Sequence, residues 1–65
     1  MDIATARKNA GLTQQALAEA IGVSRAAVAN WETGFSRPEV ENAKALGKAL
    51  GLTLDEIFAD KEQAA

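Results

Sequence analysis

Apolar residues recur along this chain at intervals of three and four, the spacing of helices that bury one face. No segment shows the sustained alternation of apolar and polar residues that is typical of a half-buried strand. The pattern therefore predicts an all-α domain. The five expected helices, called helices 1 to 5, cover about Asp2–Ala10, Gln14–Ala20, Arg25–Thr33, Val40–Leu50 and Leu54–Ala59.

One apolar face of each helix is expected to join a shared core. Trp31 lies three residues after Val28, so its ring is expected in the core rather than on a stacking surface. Gly47 is the one glycine inside a predicted helix, where it costs roughly 1 kcal/mol relative to alanine. Close approach of two helices is the expected reason, and a hinge is the alternative. The predicted core positions are Ile3, Ala6, Leu17, Ala18, Ile21, Val28, Trp31, Val40, Ala43, Leu46, Gly47, Leu50, Ile57 and Phe58.

Three similar segments separate helices: Gly-Leu-Thr at 11–13, Gly-Val-Ser at 22–24 and Gly-Leu-Thr at 51–53. Glycine just past a helix end supplies the positive φ required there, and the hydroxyl residue caps the next helix. The apolar residue between them can pack against the new helix. In the third segment Thr53 and Glu56 have the spacing of a capping box. These features predict tight joints between the helices.

The composition excludes several kinds of chemistry. The 65 residues include no histidine and no cysteine, which removes the commonest general base, the commonest metal ligand and any thiolate site. The carboxylates have neither the spacing of a calcium loop nor the arrangement of a catalytic pair, and there is no glycine-rich phosphate loop. We therefore expect no enzymatic activity, no metal, no cofactor and no small-molecule ligand.

Charge and segment length bear on the partners. The formal net charge is −2, whereas nucleic-acid-binding domains are usually basic. Basic and acidic residues balance within 1–44, so the surplus negative charge lies in 45–65. The apolar runs are too short to span a bilayer and the N-terminus has no signal-peptide pattern, so we expect a cytoplasmic protein. A single domain is expected over 1–65, with an ordered core at about 2–59 and a frayed tail at 60–65.

Helices 2 and 3 with their short joint match the helix-turn-helix arrangement, which leaves the second helix protruding. A protruding helix fits the major groove of duplex DNA, where arginine pairs with guanine, asparagine with adenine, and an alanine methyl contacts thymine. With Val28 and Trp31 turned inward, helix 3 has five outward residues. They are Arg25, Ala26, Ala29, Asn30 and Thr33, of which the first four are the expected base contacts.

Four motifs occur in combination: Thr-Gln-x-x-Leu-Ala at 13–18, Ile-Gly-Val-Ser at 21–24, Trp-Glu-x-Gly at 31–34, and Ala-Leu-Gly-Leu-Thr-Leu-Asp-Glu-Ile-Phe at 49–58. Together they resemble the phage Cro/repressor-type helix-turn-helix family, the lambda-repressor-like DNA-binding domains, over residues 3–58. The resemblance implies a compact five-helix domain that places helix 3 in the major groove. It implies a sequence-specific repressor or regulator that binds double-stranded DNA, usually as a homodimer on a pseudo-palindromic operator.

The resemblance also implies roles for single residues. Gln14 matches a glutamine that touches a phosphate and braces the first recognition residue, here Arg25. Arg7 and Glu32 match a pair that often forms an internal salt bridge, which keeps Glu32 from repelling DNA. The residues at the family's main base-reading positions are Arg25, Ala26 and Asn30. The expected contacts to the DNA backbone are Gln14, Ser24, Thr33, Ser36, Arg37 and Asn42.

Several residues have alternative interpretations. Ser24 is a helix cap first and a phosphate contact second, and Arg37 beside Pro38 is equally well explained as a surface residue. Phe35 departs from a loop position that is more often polar or basic in the family. It is an exposed loop residue, a dimer contact or a cover for the core. The expected dimer interface consists of Phe35, Leu52, Leu54 and Phe58.

The acidic balance motivates a second function, a protein-interaction or antitoxin-like regulatory module that retains the fold. Few cations are free to meet phosphate, so a weak grip on the DNA backbone is expected. The pattern leaves open the operator sequence, and whether the chain is a complete small regulator or the DNA-binding domain of a longer repressor.

Overall fold

The computed structural model describes residues 2–57, which form helices and connecting turns without a strand. The predicted all-α class is confirmed. None of the described helices has the length and apolar character needed to cross a membrane. Phe58, the predicted end of helix 5 at Ala59 and the tail at 60–65 lie outside the described residues. The helices are α1 (Ile3–Asn9), α2 (Gln14–Ile21), α3 (Arg25–Thr33) and α4 (Val40–Leu50), followed by helical residues 54–57, called α5.

Capping interactions set the helix bounds. The side chain of Asp2 accepts a hydrogen bond from the Thr5 amide at 2.6 Å, so Asp2 is the cap of α1 rather than its first residue. Gly22 has a φ of 78° and follows Ile21, so α2 extends one residue beyond the predicted end. The bounds predicted for helices 3 and 4 are confirmed.

The capping box at the start of α5 is confirmed. The Thr53 amide donates to Glu56 Oε1 at 3.0 Å, and the Glu56 amide donates to Thr53 Oγ1 at 3.1 Å. Two otherwise unsatisfied amides are thereby bonded within four residues. At the start of α2, Thr13 accepts a bond from the Ala16 amide at 2.9 Å in the same manner.

The core lies between α2, α3 and α4, with α1 and α5 closing it. Trp31 is buried, as its spacing predicted, and Leu17, Val28 and Leu46 are fully enclosed. The prediction that Val40 belongs to the core is wrong, because its side chain is 57% exposed. A helical side chain covers the turn before its own position, and Val40 is the first residue of α4. The loop instead supplies Pro38, which is buried. The buried apolar residues are Ile3, Ala6, Leu17, Ala18, Val28, Trp31, Ala43, Leu46 and Ile57.

Gly47 is buried in the middle of α4 because a backbone segment, rather than another helix, passes close to it. The Leu52 amide donates to the Gly47 carbonyl at 2.9 Å. A Cβ atom at position 47 would collide with the Leu52 carbonyl oxygen. The close approach is made by the turn that leads into α5, so the expected approach of a second helix is wrong at this position.

Replacing Gly47 by alanine should therefore lower the free energy of unfolding by about 1–3 kcal/mol, the usual cost of overpacking. This loss should appear although alanine favours a helix by roughly 1 kcal/mol over glycine. Urea unfolding followed by circular dichroism measures the change. The control is Lys48→Ala at the exposed neighbouring position, which should change stability little. A Gly47→Ala protein as stable as the wild type would contradict this assignment.

Candidate nucleic-acid interface

Helix α3 is anchored on one side and open on the other. Val28 is fully buried and Trp31 is 8% exposed, so the helix cannot rotate without emptying the core. The Ser24 hydroxyl accepts the Ala27 amide at 3.1 Å and fixes the start of the helix. Because this hydroxyl only accepts in that bond, its own proton remains able to reach a phosphate.

The outward residues of α3 are not equally accessible. Arg25 and Ala26 are exposed, whereas Ala29 and Asn30 are half-buried. Thr33 at the C-terminal end is exposed as well, so the middle of the face is its least accessible part. A partner that approaches α3 meets the Arg25 guanidinium before it meets the Asn30 amide.

Thr33 differs from Ser24 in how its hydroxyl is used. The hydroxyl donates to the Asn30 carbonyl at 3.2 Å and accepts from the Phe35 amide at 3.4 Å. Both bonds close the C-terminal end of α3. A phosphate contact from Thr33 requires that the bond to Asn30 be broken first.

Beneath α3, the carboxylate of Glu32 is held by α1. Arg7 Nε donates to Glu32 Oε2 at 2.6 Å and Arg7 Nη2 donates to Oε1 at 3.3 Å. The two side chains are 11% and 9% exposed. Arg7 Nη1 also donates to the Leu12 carbonyl at 2.7 Å, so one guanidinium ties α1 to the next joint and to α3.

This pairing keeps Glu32 ionised. Burial alone raises the pKa of the Glu32 carboxyl, but hydrogen bonds from Arg7 and Gln14 and the charge of Arg7 outweigh it. The net result is a pKa below the usual value. The bond to Glu32 likewise raises the pKa of Arg7. The only carboxylate of α3 is thus neutralised by a neighbouring cation and does not lie on the outward face.

Gln14, the first residue of α2, connects this pair to the outward face. Its Nε2 donates to Glu32 Oε1 at 2.9 Å. Its Oε1 accepts from Arg25 Nη1 at 3.5 Å. The second bond is longer than typical N–H···O distances, so it guides Arg25 without fixing it.

The loop between α3 and α4 folds back on α3. The Ser36 amide donates to the Asn30 carbonyl at 3.3 Å, and Ser36 and Arg37 are exposed. Asn42 is half-buried in the first turn of α4. Glu41 shares that turn, and its negative charge opposes binding of a phosphate at this helix end.

A family profile described as helix-turn-helix matches residues 3–57. The chain belongs to this helix-turn-helix family. The expectation of a lambda-repressor-like arrangement, with α2 and α3 as the helix-turn-helix, is confirmed.

Two curated relatives are similar to this helix-turn-helix domain. The HTH-type transcriptional activator BcrR of Enterococcus faecalis is 39% identical over 56 residues, which are 86% of this chain and 28% of that protein. The HTH-type transcriptional regulator DicA of Escherichia coli (strain K12) is 46% identical over 44 residues, 68% of this chain and 33% of that protein. The chain spans about a third or less of the length of either relative. No solved structure matches it.

The residues expected at a dimer interface of the helix-turn-helix domain differ in accessibility within residues 2–57. Phe35 is 80% exposed, which rules out its role as a cover for the core. Leu54 is 37% exposed, whereas Leu52 is half-buried and packs against the core. Phe58 lies outside the described residues.

Sequence reasoning missed two polar contacts of this site, the bond from Gln14 to Glu32 and the bond from Arg7 to the Leu12 carbonyl. No periodic pattern signals a bond between residues 18 positions apart. A glutamine at the first position of a helix, where its side chain is not needed as a cap, is the signal that the sequence offered. Within residues 2–57, no group of three or more acidic, histidine or cysteine residues is placed to hold a metal.

Proposed function

We propose that this domain binds double-stranded DNA in a sequence-specific manner and regulates transcription, with α3 in the major groove. The observation that carries the proposal is the chemistry of the outward face of α3. That face offers Arg25, Asn30 and small methyl groups, while Glu32 is held beneath it by Arg7. The two relatives, a transcriptional activator and a transcriptional regulator, support the same function.

Each outward residue has a defined task in this proposal. Arg25 reads guanine through two parallel hydrogen bonds, Asn30 reads adenine, and the methyl groups of Ala26 and Ala29 contact thymine. Asn30 acts after Arg25 has entered the groove, because it is less accessible. The proposed contacts to the DNA backbone are Gln14, Ser24, Thr33, Ser36, Arg37 and Asn42.

The DNA-bound form is proposed to be a homodimer on a pseudo-palindromic operator, where it acts as a repressor. One recognition helix covers only a few base pairs, and a two-fold dimer doubles the sequence that is read. Exposed Leu54 supports an interface near α5. Phe58, outside the described residues, is proposed to join it.

Selection of bound sites from random duplex DNA tests the proposal directly. Two half-sites of opposite orientation, spaced about one helical turn apart, are expected. Light scattering of the complex should give the mass of the duplex plus two chains. Binding without any sequence preference, or no binding at all, would overturn the proposal.

The salt dependence of binding should be shallow. Lys8, Arg37 and Lys44 are exposed cations besides Arg25. If these three meet phosphates in each subunit, a dimer has a slope of roughly −5 in log K against log salt. Titrations of the selected site at several salt concentrations measure the slope. A slope steeper than about −8 would mean that cations other than these three make many of the contacts to phosphate.

A protein-interaction module is the second candidate, and the 80% exposure of Phe35 favours it. An aromatic ring in contact with water is typical of surfaces that bind other proteins. Arg25→Ala and Phe35→Ser variants separate the two candidates. DNA binding should be lost in the first variant, whereas capture of a partner protein should be lost in the second if that function exists.

A further inference from the structure

Four side chains form a continuous polar chain from α1 to the start of α3. Arg7 donates to Glu32 at 2.6 Å, Gln14 donates to the same carboxylate at 2.9 Å, and Arg25 donates to Gln14 at 3.5 Å. The side chains of the first pair are 11% and 9% exposed, whereas the last residue lies on the exposed surface. This row of hydrogen-bonded side chains therefore connects the interior of the domain to Arg25, the first residue of the outward face of α3.

The chemistry of these groups fixes the direction of every bond. A guanidinium can only donate, and an ionised carboxylate can only accept. Gln14 stands between an acceptor on one side and a donor on the other. Its NH₂ group must face Glu32, and its oxygen must therefore face Arg25. A glutamine side chain carries both a donor and an acceptor, which this position requires.

We propose that Glu32 is a positioning residue for base reading, which acts on Arg25 through the orientation of Gln14. This inference rests on the function proposed above and adds a residue that does not itself touch DNA. The carboxylate holds the Gln14 oxygen outward, and that oxygen holds the Arg25 guanidinium toward the groove. The length of the last bond lets Arg25 exchange it for guanine at small cost.

The Glu32→Gln variant should reverse the orientation of the Gln14 amide and the direction of its hydrogen bonds. Arg7 still requires an acceptor, so it takes the oxygen of the new amide, whose NH₂ group then faces Gln14. Gln14 turns its oxygen toward that NH₂ group and presents its own NH₂ group to Arg25. Two donors then face each other, and Arg25 loses the contact that orients it.

The experiment is site selection with wild type, Arg25→Ala and Glu32→Gln. Arg25→Ala identifies the base position that Arg25 reads. At that position the preference of Glu32→Gln should fall by about fivefold, the lower end of what one bidentate base contact supplies. Preferences at the other positions should stay unchanged. A uniform loss of affinity, or no change at the Arg25 position, would overturn the proposal.

The domain offers a matched control on α2. Gln15 donates to Glu19 at 2.9 Å, the same type of pair on the exposed side. Glu19→Gln removes the same charge and should leave every base preference as in the wild type. If Glu19→Gln relaxes the Arg25 position equally, net charge rather than positioning is responsible, and the proposal fails.

A second variant covers the case in which Glu32→Gln does not fold. Gln14→Met keeps the length of the side chain and removes both hydrogen bonds. It should relax the same base position. Where Glu32→Gln does fold, adding it to Gln14→Met should produce no further change there. Unchanged reading in Gln14→Met would overturn the proposal. A wild-type protein without any base preference would overturn the proposed function itself, before any variant is compared.

Discussion

Replacing Arg7 by methionine should lower the free energy of unfolding by about 3–5 kcal/mol, because it leaves a buried carboxylate without its cation. The Glu32 side chain is 9% exposed, so little water can reach it to replace the guanidinium. The total stability of a domain of this size is roughly 3–10 kcal/mol. Urea unfolding should therefore show a protein close to its unfolding threshold at neutral pH.

Two further variants separate the ion pair from other effects of the change. Lys8→Met removes the same charge from the exposed neighbouring position and should cost little. Combining Arg7→Met with Glu32→Leu removes both charges and should recover most of the lost stability. The recovery should be incomplete, because the Leu12 carbonyl still lacks its donor. If the double variant is no more stable than Arg7→Met, the unpaired charge is not the cause.

Lowering the pH should narrow the difference in the free energy of unfolding between the wild type and Arg7→Met. In the wild type the pKa of Glu32 lies below its usual value of 4.5. The ionised carboxylate therefore makes its full contribution to stability above pH 4.5. The contribution is lost as the pH falls through the lower folded-state pKa. In the variant, burial without a cation raises the pKa of Glu32, so protonation relieves the penalty. Unfolding curves between pH 7 and pH 3 test this, and a constant difference would contradict it.

Arg25→Ala should weaken binding of the selected operator by about 10² to 10⁴-fold. One bidentate contact to guanine supplies about 1–3 kcal/mol of discrimination, and a dimer loses two of them. The base preference at one position of each half-site should disappear. The slope of log K against log salt should stay nearly constant, because a base contact releases no phosphate counterion. Site selection and salt titration of the variant measure both quantities.

Arg37→Ala is the matched control for this variant. Arg37 is an exposed arginine in the loop after α3, and its proposed contact is a phosphate. Its loss should weaken all sequences alike and reduce the salt slope by about 1 per subunit. If Arg25→Ala behaves in this way instead, Arg25 contacts the backbone and another residue reads the base.

Local patterns predicted the helices because each helix end depends on neighbouring residues. The glycine and hydroxyl residues of the three joints define where one helix stops and the next begins, as the Thr53–Glu56 box illustrates. The same reasoning failed at Val40, where periodicity inside a helix was extended to its first residue. The loop supplied the buried group there, and helical spacing contains no information about a loop.

Contacts between distant residues were not predictable from pattern. Arg7 and Glu32 are 25 positions apart, and only the resemblance to a known family suggested that they meet. The group that approaches Gly47 is the backbone carbonyl of Leu52. Every residue has such a carbonyl, so the type of side chain does not indicate the contact. The sequence also did not determine whether Phe35 is exposed. Its position in the loop was known, but the direction of that loop was not.

The guanidinium of Arg7 also limits how this domain can be divided or transplanted. Helices α2 and α3 contain every residue proposed to read a base, so a design that grafts them onto another protein as a unit is an obvious one. A graft without α1 would carry the Glu32 carboxylate with no cation beneath the reading helix. It would also lose the hydrogen bond that Arg7 donates to the Leu12 carbonyl. The smallest transferable unit therefore begins before Arg7, although Arg7 itself is not among the proposed DNA contacts.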